Sequence, residues 1–282
     1  MNEVIIDSRI ESKTTDELWD EIYSKERVVK KVNFNCGLEA KPEGYIRIVC
    51  ISDTHNKLSD ITSTIPPGDI LIHAGDFTNF GSIEELEKFN NDLANLPHTY
   101  KVVIAGNHEL GFEDGEDESL REEIYLNKGT KYGYNKLNNC IYIQDKSVEL
   151  FGIKIYGTSW HPLPGYSFSV PRGRKIAEKW SKIPSDIDIL ITHTPPLGHN
   201  DTFRDGTKWG CGDLLNAVER RIKPKVHIFG HVHENNGTTS NGETYFINAS
   251  ICSHQLKCIN KPIVFDWDIN NHGVCGRHVE GK

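Results

Sequence analysis

An α/β fold is predicted by two observations. Short apolar, β-branched runs alternate with loops and amphipathic segments along the chain, and five polar motifs each follow directly on one of those runs. The runs expected as strands are 46–52, 70–74, 102–105, 187–192 and 226–229, each bounded by turn residues. Two more strands are expected at 243–247 and 262–267, where Pro262 favours an edge or a strand start because it has no N–H for a ladder. Ile83, Leu86, Phe89, Leu93 and Leu96 recur at steps of three and four residues, which predicts a helix over 84–96 with one face buried on a sheet. Helices are also expected over 174–182 and 213–221, and one earlier over 15–27, capped by Thr15 or Asp16 with Leu18, Ile22 and Tyr23 on one face. The acidic segment 113–123 reads as a solvated loop or helix face without chemistry.

The 282 residues suit one catalytic domain, 46–282, preceded by an N-terminal extension, 1–45, whose helix is expected to pack on the core through Trp19, Ile22 and Val29. No apolar run approaches the roughly 20 residues of a membrane span. Residues 1–15 interleave acids and bases and lack the apolar centre of a secretory signal, so a cytoplasmic protein with no membrane partner is expected. Seven cysteines, at 36, 50, 140, 211, 252, 258 and 275, are odd in number and contain no Cys-x-x-Cys pair, which points to buried free thiols in a reducing compartment. The net charge is −8, and apart from Lys30-Lys31 and Arg172-Gly-Arg174-Lys175 the basic residues are scattered. That distribution lacks the basic stripe used to hold polymeric nucleic acid and favours a small anionic partner.

The five motifs are Asp53-Thr-His55, Gly75-Asp76, Gly106-Asn107-His108-Glu109, His193 before Thr-Pro-Pro, and Gly230-His231-Val-His233. A sheet could deliver all of them to one edge. Asp53 and His55, two residues apart in an extended segment, point to one side and can grip one ion, whereas His231 and His233 can reach different ions. Gly75 permits close backbone approach while the Asp76 carboxylate bridges two cations. Asn107 offers a neutral amide oxygen, which limits the negative charge stacked on the metals. His108, left free of metal, is suited to protonate a leaving oxygen. Glu109 is read either as orienting His108 or as part of a surface salt link. Oxygen and imidazole donors without thiolate suit Mn²⁺, Fe or Zn²⁺. Seven ligands and one spare histidine are the layout of a two-metal hydrolase.

These motifs resemble the D-x-H, GD, GNH, H and GHxH signature of the calcineurin-like metallophosphoesterase superfamily. Cys50-Ile-Ser-Asp-Thr-His55, Ala74-Gly-Asp-Phe-Thr78, Val103-Ile-Ala-Gly-Asn-His-Glu-Leu110, Thr192-His-Thr-Pro-Pro-Leu-Gly198 and Ile247-Asn-Ala-Ser250 read like its small metallophosphoesterase-domain-containing, brain-type branch. The resemblance covers roughly residues 15–268. It implies a four-layer αββα sandwich of two mixed β-sheets flanked by helices. It also implies two divalent ions, Mn²⁺ first and Fe or Zn²⁺ as alternatives, one held by Asp53, His55, Asp76 and His233 and the other by Asp76, Asn107, His193 and His231. His108 is then the acid outside the ligand set. The activity implied is a phosphodiesterase acting on small phosphodiesters, with 2′,3′- or 3′,5′-cyclic nucleotides first. A protein phosphatase, a nuclease, a nucleotide pyrophosphatase or a non-catalytic metal-binding scaffold would use the same site. Trp160, Phe168, Phe203 and Trp209 are candidate base-stacking walls, and Arg172 or Arg174 a candidate phosphate or sugar contact.

Overall fold

A computed structural model describes residues 3–34 and 40–275 and the backbone of 278–280. The strands form two sheets. The first comprises β2 (Tyr45–Ile51), β3 (Ile70–His73), β4 (Tyr100–Val103), β5 (Ile141–Tyr142), β12 (Ile263–Asp268) and β13 (Gly273–Val274), in the order β13-β12-β2-β3-β4-β5. The second adds β1 (Lys30–Phe34), β6 (Lys146–Leu150), β7 (Ile153–Thr158), β8 (Ile189–Thr192), β9 (Val226–Phe229), β10 (Gly237–Ser240), β11 (Tyr245–Asn248) and β14 (His278–Glu280). Its order is β14-β1-β10-β11-β9-β8-β7-β6. β2 to β5 run parallel, as do β7, β8, β9 and β11, so the C-terminal ends of each parallel set lie along one edge.

Alternation within the strands explains the layers. In β2, Ile46, Ile48 and Cys50 face one core and Val49 and Ile51 another; in β8, Ile189 and Ile191 oppose Leu190 in the same way. The first of these cores lies between the sheets, where Ile72, Val102, Ile155, Ile228, Phe265 and Trp267 meet. The other covers the outer faces with α3 (Leu58–Ile61), α4 (Ile83–Ala94), α5 (Arg174–Trp180) and α6 (Gly212–Ala217), through Leu58, Leu86, Phe89, Leu93, Trp180 and Leu214. Both faces of each sheet are buried, as a parallel sheet requires. The result is the four-layer αββα sandwich of two mixed sheets.

The N-terminal helix consists of α1 (Thr15–Leu18), a π-helical turn Trp19–Tyr23 and α2 (Ser24–Glu26). Its cap is Thr14, not Thr15 or Asp16. Thr14 Oγ1 accepts from the Glu17 amide at 3.2 Å while the Glu17 carboxylate accepts from the Thr14 amide at 2.8 Å, a reciprocal capping box. Leu18 and Tyr23 are buried with Ile10 against Leu197 and Leu215, and Trp19 and Ile22 pack alongside; Val29 is only half-buried and stands outside this cluster. Pro262 does start a strand, but β12 is paired on both sides and is no edge. Cys36 lies outside the described residues, and the other six cysteines are free thiols.

The acidic segment 113–123 is mostly exposed as expected, but part of it departs from that expectation. Its Arg121 is buried and forks onto Glu116 at 2.6 and 2.7 Å, Glu113 accepts the Phe168 amide at 2.6 Å, and Asp114 accepts the Tyr134 hydroxyl at 2.7 Å. Glu113 and Glu116 therefore tie loops together, while Asp114 and the other acidic residues of the segment are exposed.

Candidate metal centre

The motif residues come from two sheets, not from one edge of a single sheet. The loops after β2, β3 and β4 supply Asp53, His55, Asp76 and Asn107, and those after β8 and β9 supply His193, His231 and His233. A parallel bridge between Ser52 and Ser250 ties the sheet ends together there. Asp53, His55, Asp76 and His231 have φ of 52°, 42°, 52° and 71°, so these loops turn through left-handed backbone. Asp53 and His55 thus reach the same place through a tight turn and not through an extended segment.

Two donor clusters share Asp76. One atom each from Asp53, His55, Asp76 and His233 lie within 4.8 Å of one another, as do atoms of Asp76, His193 and His231. The Asn107 amide oxygen joins the second cluster, 3.0 Å from His193 Nε2 and 2.9 Å from His231 Nδ1. Supporting hydrogen bonds aim the rings. His193 Nδ1–H donates to the Ala74 carbonyl at 2.8 Å and His233 Nδ1–H to the Ser253 carbonyl at 3.0 Å, so both present Nε2 inward. The Asp53 carboxylate accepts the His231 amide at 3.0 Å and the Ser250 hydroxyl at 2.8 Å.

The donor set fits divalent ions. His55 Nε2 and His233 Nε2 face each other at 3.2 Å, a convergence of ring nitrogens that suits a cation between them. The set holds imidazoles, carboxylates and one amide oxygen and lacks thiolate, which suits Mn²⁺, Fe or Zn²⁺. Electrostatics point the same way. Burial opposes charge on Asp53 and Asp76, yet the surrounding histidines hold both carboxyls well below the usual carboxylate range. Burial likewise works against protonating His193 and His233, but the carboxylates of Asp76 and Asp53 lift them to about 9. His55 goes down to about 4 by burial. The cluster already seeks positive charge.

His108 sits beside this centre and outside both clusters. Its Nδ1–H donates to the Asn79 carbonyl at 2.7 Å, its amide donates to Asp76 at 2.9 Å, and its ring lies 5.1 Å from that of His55. Glu109 is fully buried, so the surface salt link is excluded, and its carboxylate does not hold the His108 ring. It accepts from the amides of Asp76, Gly106 and Thr78 at 2.9, 2.6 and 2.8 Å and from the Thr78 hydroxyl at 2.8 Å. Burial, then the charge of Asp76, pushes this carboxyl up to about 8 against those four bonds. All four contacts donate to it, which is the geometry of an ionised acceptor.

The cavity above the centre has a volume of 650 Å³ and is bordered by His55, Asp76, Asn107, His108, His231 and His233. Phe203 and Trp209 form one wall, stacked at 4.1 Å, as expected of them. Trp160 and Phe168 do not reach it. They pack edge to face at 5.5 Å in the core, with Trp160 Nε1 donating to Asp145 at 2.9 Å and its ring face occupied by Lys179. Arg174 is solvent-facing, 3.7 Å from Glu178, while Arg172 lines a smaller adjoining lobe. Tyr125 and Tyr166, neither of them among the expected wall residues, also line the main cavity beside His108, their hydroxyls 2.9 Å apart. Tyr166 lies between Trp160 and Phe168 in sequence, whereas Tyr125, just beyond the acidic segment, carried no signal.

The calcineurin-like phosphoesterase family model matches residues 46–235. The chain is 57% identical over 229 residues to a UPF0046 protein of Caenorhabditis elegans, covering 79% of this chain and 82% of that one. The chain belongs to the calcineurin-like phosphoesterase family. Another relative is human metallophosphoesterase domain-containing protein 1, 45% identical over 237 residues, 80% of this chain and 72% of that one. A probable glycerophosphodiester phosphodiesterase of Arcobacter nitrofigilis is 26% identical over 211 residues, covering 72% and 70%. One solved structure superposes with a TM-score of 0.55 at 15% identity, covering 84% of this chain and 100% of that one, and speaks to the fold alone. The chain is thus a calcineurin-like phosphoesterase of the branch that its motifs resemble, with a candidate divalent-metal centre. No helix among the described residues is long and apolar enough to cross a membrane.

Proposed function

We propose that this phosphoesterase is a two-metal phosphodiesterase acting on small diesters, with 2′,3′- or 3′,5′-cyclic nucleotides as the first substrates and Mn²⁺ as the first metal, in the cytoplasm. The observation that carries the reading is the pair of donor clusters joined by Asp76 with His108 beside them on one cavity. Bound divalent ions would supply charge for the phosphoryl oxygens and lower the pKa of water. The chain's own residues do the rest. Asp53, His55, Asp76 and His233 would hold one ion, and Asp76, Asn107, His193 and His231 the other. Because Asn79 takes the Nδ1 proton of His108, Nε2 is the atom left to protonate the departing oxygen.

The size and walls of the cavity favour a small diester. A 650 Å³ volume is that of a small-ligand pocket, and the Phe203–Trp209 and Tyr125–Tyr166 walls offer ring faces to a base. Glu122 and Glu234 border it with no Lys or Arg among the described lining residues, a poor surface for a polymer's phosphates. The name of the Arcobacter relative also supports diester chemistry. The test is hydrolysis of an aryl phosphodiester and of 2′,3′- and 3′,5′-cyclic nucleotides by metal-loaded protein, beside phosphopeptides and single-stranded RNA and DNA. Metal-dependent turnover of the small diesters is expected. Rapid turnover of phosphopeptides or of polymers, with none of the small diesters, would replace this reading; full metal occupancy with no turnover would leave a scaffold.

A further inference from the structure

The cavity over the metal ligands continues into a second lobe of 390 Å³, which it meets at Leu163, Trp209 and His231. The two lobes differ in charge. Beyond the histidines and Asp76, the larger one is bordered by Glu122 and Glu234, whereas the smaller carries Arg172 and Lys208 against Asp16 alone. Two of those three charges are already engaged. The Asp16 carboxylate accepts the Lys208 amide at 2.8 Å, and the Lys208 ammonium lies 3.1 Å from Thr202 Oγ1 and 3.6 Å from Asp201. Arg172 is exposed and makes no hydrogen bond or ion pair with another described residue. Asp213 feels its charge, but that carboxylate already accepts the Gly173 amide at 3.1 Å.

A free guanidinium presents a planar fork of donors that matches a phosphate. Here it borders a lobe that is also lined by His231, a metal-ligand candidate. An anionic group on a substrate would be repelled by Glu122 and Glu234 in the larger lobe and attracted by Arg172 in the smaller. His108 is in the larger lobe, so the ester oxygen that departs from phosphorus faces that side; in a cyclic diester that oxygen stays on the ribose, whose other end can extend toward the smaller lobe. In a nucleoside 2′,3′-cyclic phosphate the 5′ carbon is at the far end of the ribose from the diester. Resting on the phosphodiesterase reading, we propose that the Arg172 lobe is a subsite for a second phosphate. The favoured substrates then carry two phosphates, a diester at the metal ligands and a monoester, such as a nucleoside 5′-phosphate, against Arg172. The N-terminal extension acquires a role as well, because Thr15 and Asp16 form part of this lobe and Thr15 Oγ1 donates to the Lys208 carbonyl at 2.6 Å.

The test begins with binding, since that does not depend on turnover. Calorimetry on the full-length, Mn²⁺-loaded protein compares adenosine 3′-monophosphate with adenosine 3′,5′-bisphosphate, neither of which contains a diester bond. The bisphosphate is expected to bind about tenfold tighter or more. Arg172→Ala should bring that ratio close to one, and Arg174→Ala, two residues away and solvent-facing, should preserve it. Equal affinities in the unmodified protein, or a ratio that survives Arg172→Ala, overturn the subsite. Turnover then separates the two ideas. Adenosine 2′,3′-cyclic phosphate bearing a 5′-phosphate should show a KM lower by a similar factor than the unphosphorylated compound, with kcat little changed. Cleavage of both diesters at equal KM rejects the subsite alone. An Arg172-dependent preference for the bisphosphate, with no diester cleaved, keeps the subsite and rejects the phosphodiesterase reading.

Discussion

His108 and Glu109 are neighbours in one tetrapeptide and have opposite fates. The backbone turn that sends His108 to the cavity beside Tyr166 sends Glu109 into the interior, where its two oxygens collect four donors from the loops after β3 and β4. Replacing His108 by Ala should lower kcat about 10²- to 10⁴-fold, the range for loss of one general acid, with metal content per chain unchanged by elemental analysis. Loss of metal together with activity would instead make His108 a ligand. Glu109→Gln is the sharper probe of stability. An amide NH₂ would face N–H donors, so a loss of about 3 kcal/mol in urea unfolding is expected. If the variant is as stable as the parent, the native carboxyl is protonated and the acceptor-only geometry has been misjudged. His108 was legible from its motif because its chemistry is its own. Glu109 was not, because its role exists only where two loops that are distant in sequence meet.

At the scale of elements, the glycines of the motifs explain how close those loops come. A Cβ on Gly106 would stand 2.3 Å from Asp76 Oδ1 and 2.6 Å from its amide, and one on Gly75, where φ is +96°, 2.7 Å from the Gly106 amide. Gly106→Ala should therefore displace Asp76 and weaken metal binding at least tenfold by calorimetry, while the far-ultraviolet dichroism of the sheets is kept. Retained affinity would mean that Asp76 moves at no cost. The helices were the most legible elements. α4 begins at Ser82 with a capping box to Glu85 and buries Leu86, Phe89 and Leu93 as the spacing requires. The strands β1, β5, β6, β7, β10, β13 and β14 were missed. Lys30–Phe34 and Lys146–Leu150 are mostly polar, and Gly237–Ser240 holds only glycine, threonine and serine; all three pair because a neighbouring strand offers them a ladder. Trp160 and Phe168 failed as substrate walls for a related reason. An aromatic in a loop can face either a cavity or the core, and only the packing of Lys179 and Asp145 around Trp160 decides which.

For the whole molecule, the candidate metal centre is a seam between two sheets. Asp53 and Asp76 are buried there as carboxylates, and ions bound only by the folded state add stability by mass action. Chelation should therefore lower the melting temperature by several degrees, reversibly on adding Mn²⁺; an unchanged melt would mean that the seam holds without metal. A second global effect arises behind the Arg172 lobe. Burial pushes the Asp213 carboxyl up from 3.8 to about 6, more than the Gly173 amide bond lowers it. Between those values the folded chain holds a proton that the unfolded chain has released, so this group's contribution to stability declines as pH rises through the window and is lost above it. Asp213→Asn should thus be more stable than the parent at pH 7.5, by an amount on the order of 2–3 kcal/mol, and little different near pH 4. Equal or lower stability of the variant at pH 7.5 in urea melts would refute this. By itself the sequence determined the α/β class, the family and the identity of the metal-ligand candidates, because periodicity and donor chemistry are local properties of the chain. Only the tertiary structure decided that two sheets share the centre, that Glu109 braces its loops, and which aromatics and which arginine face the cavity. Those depend on contacts between segments far apart in sequence, and no local pattern encodes which of them will meet.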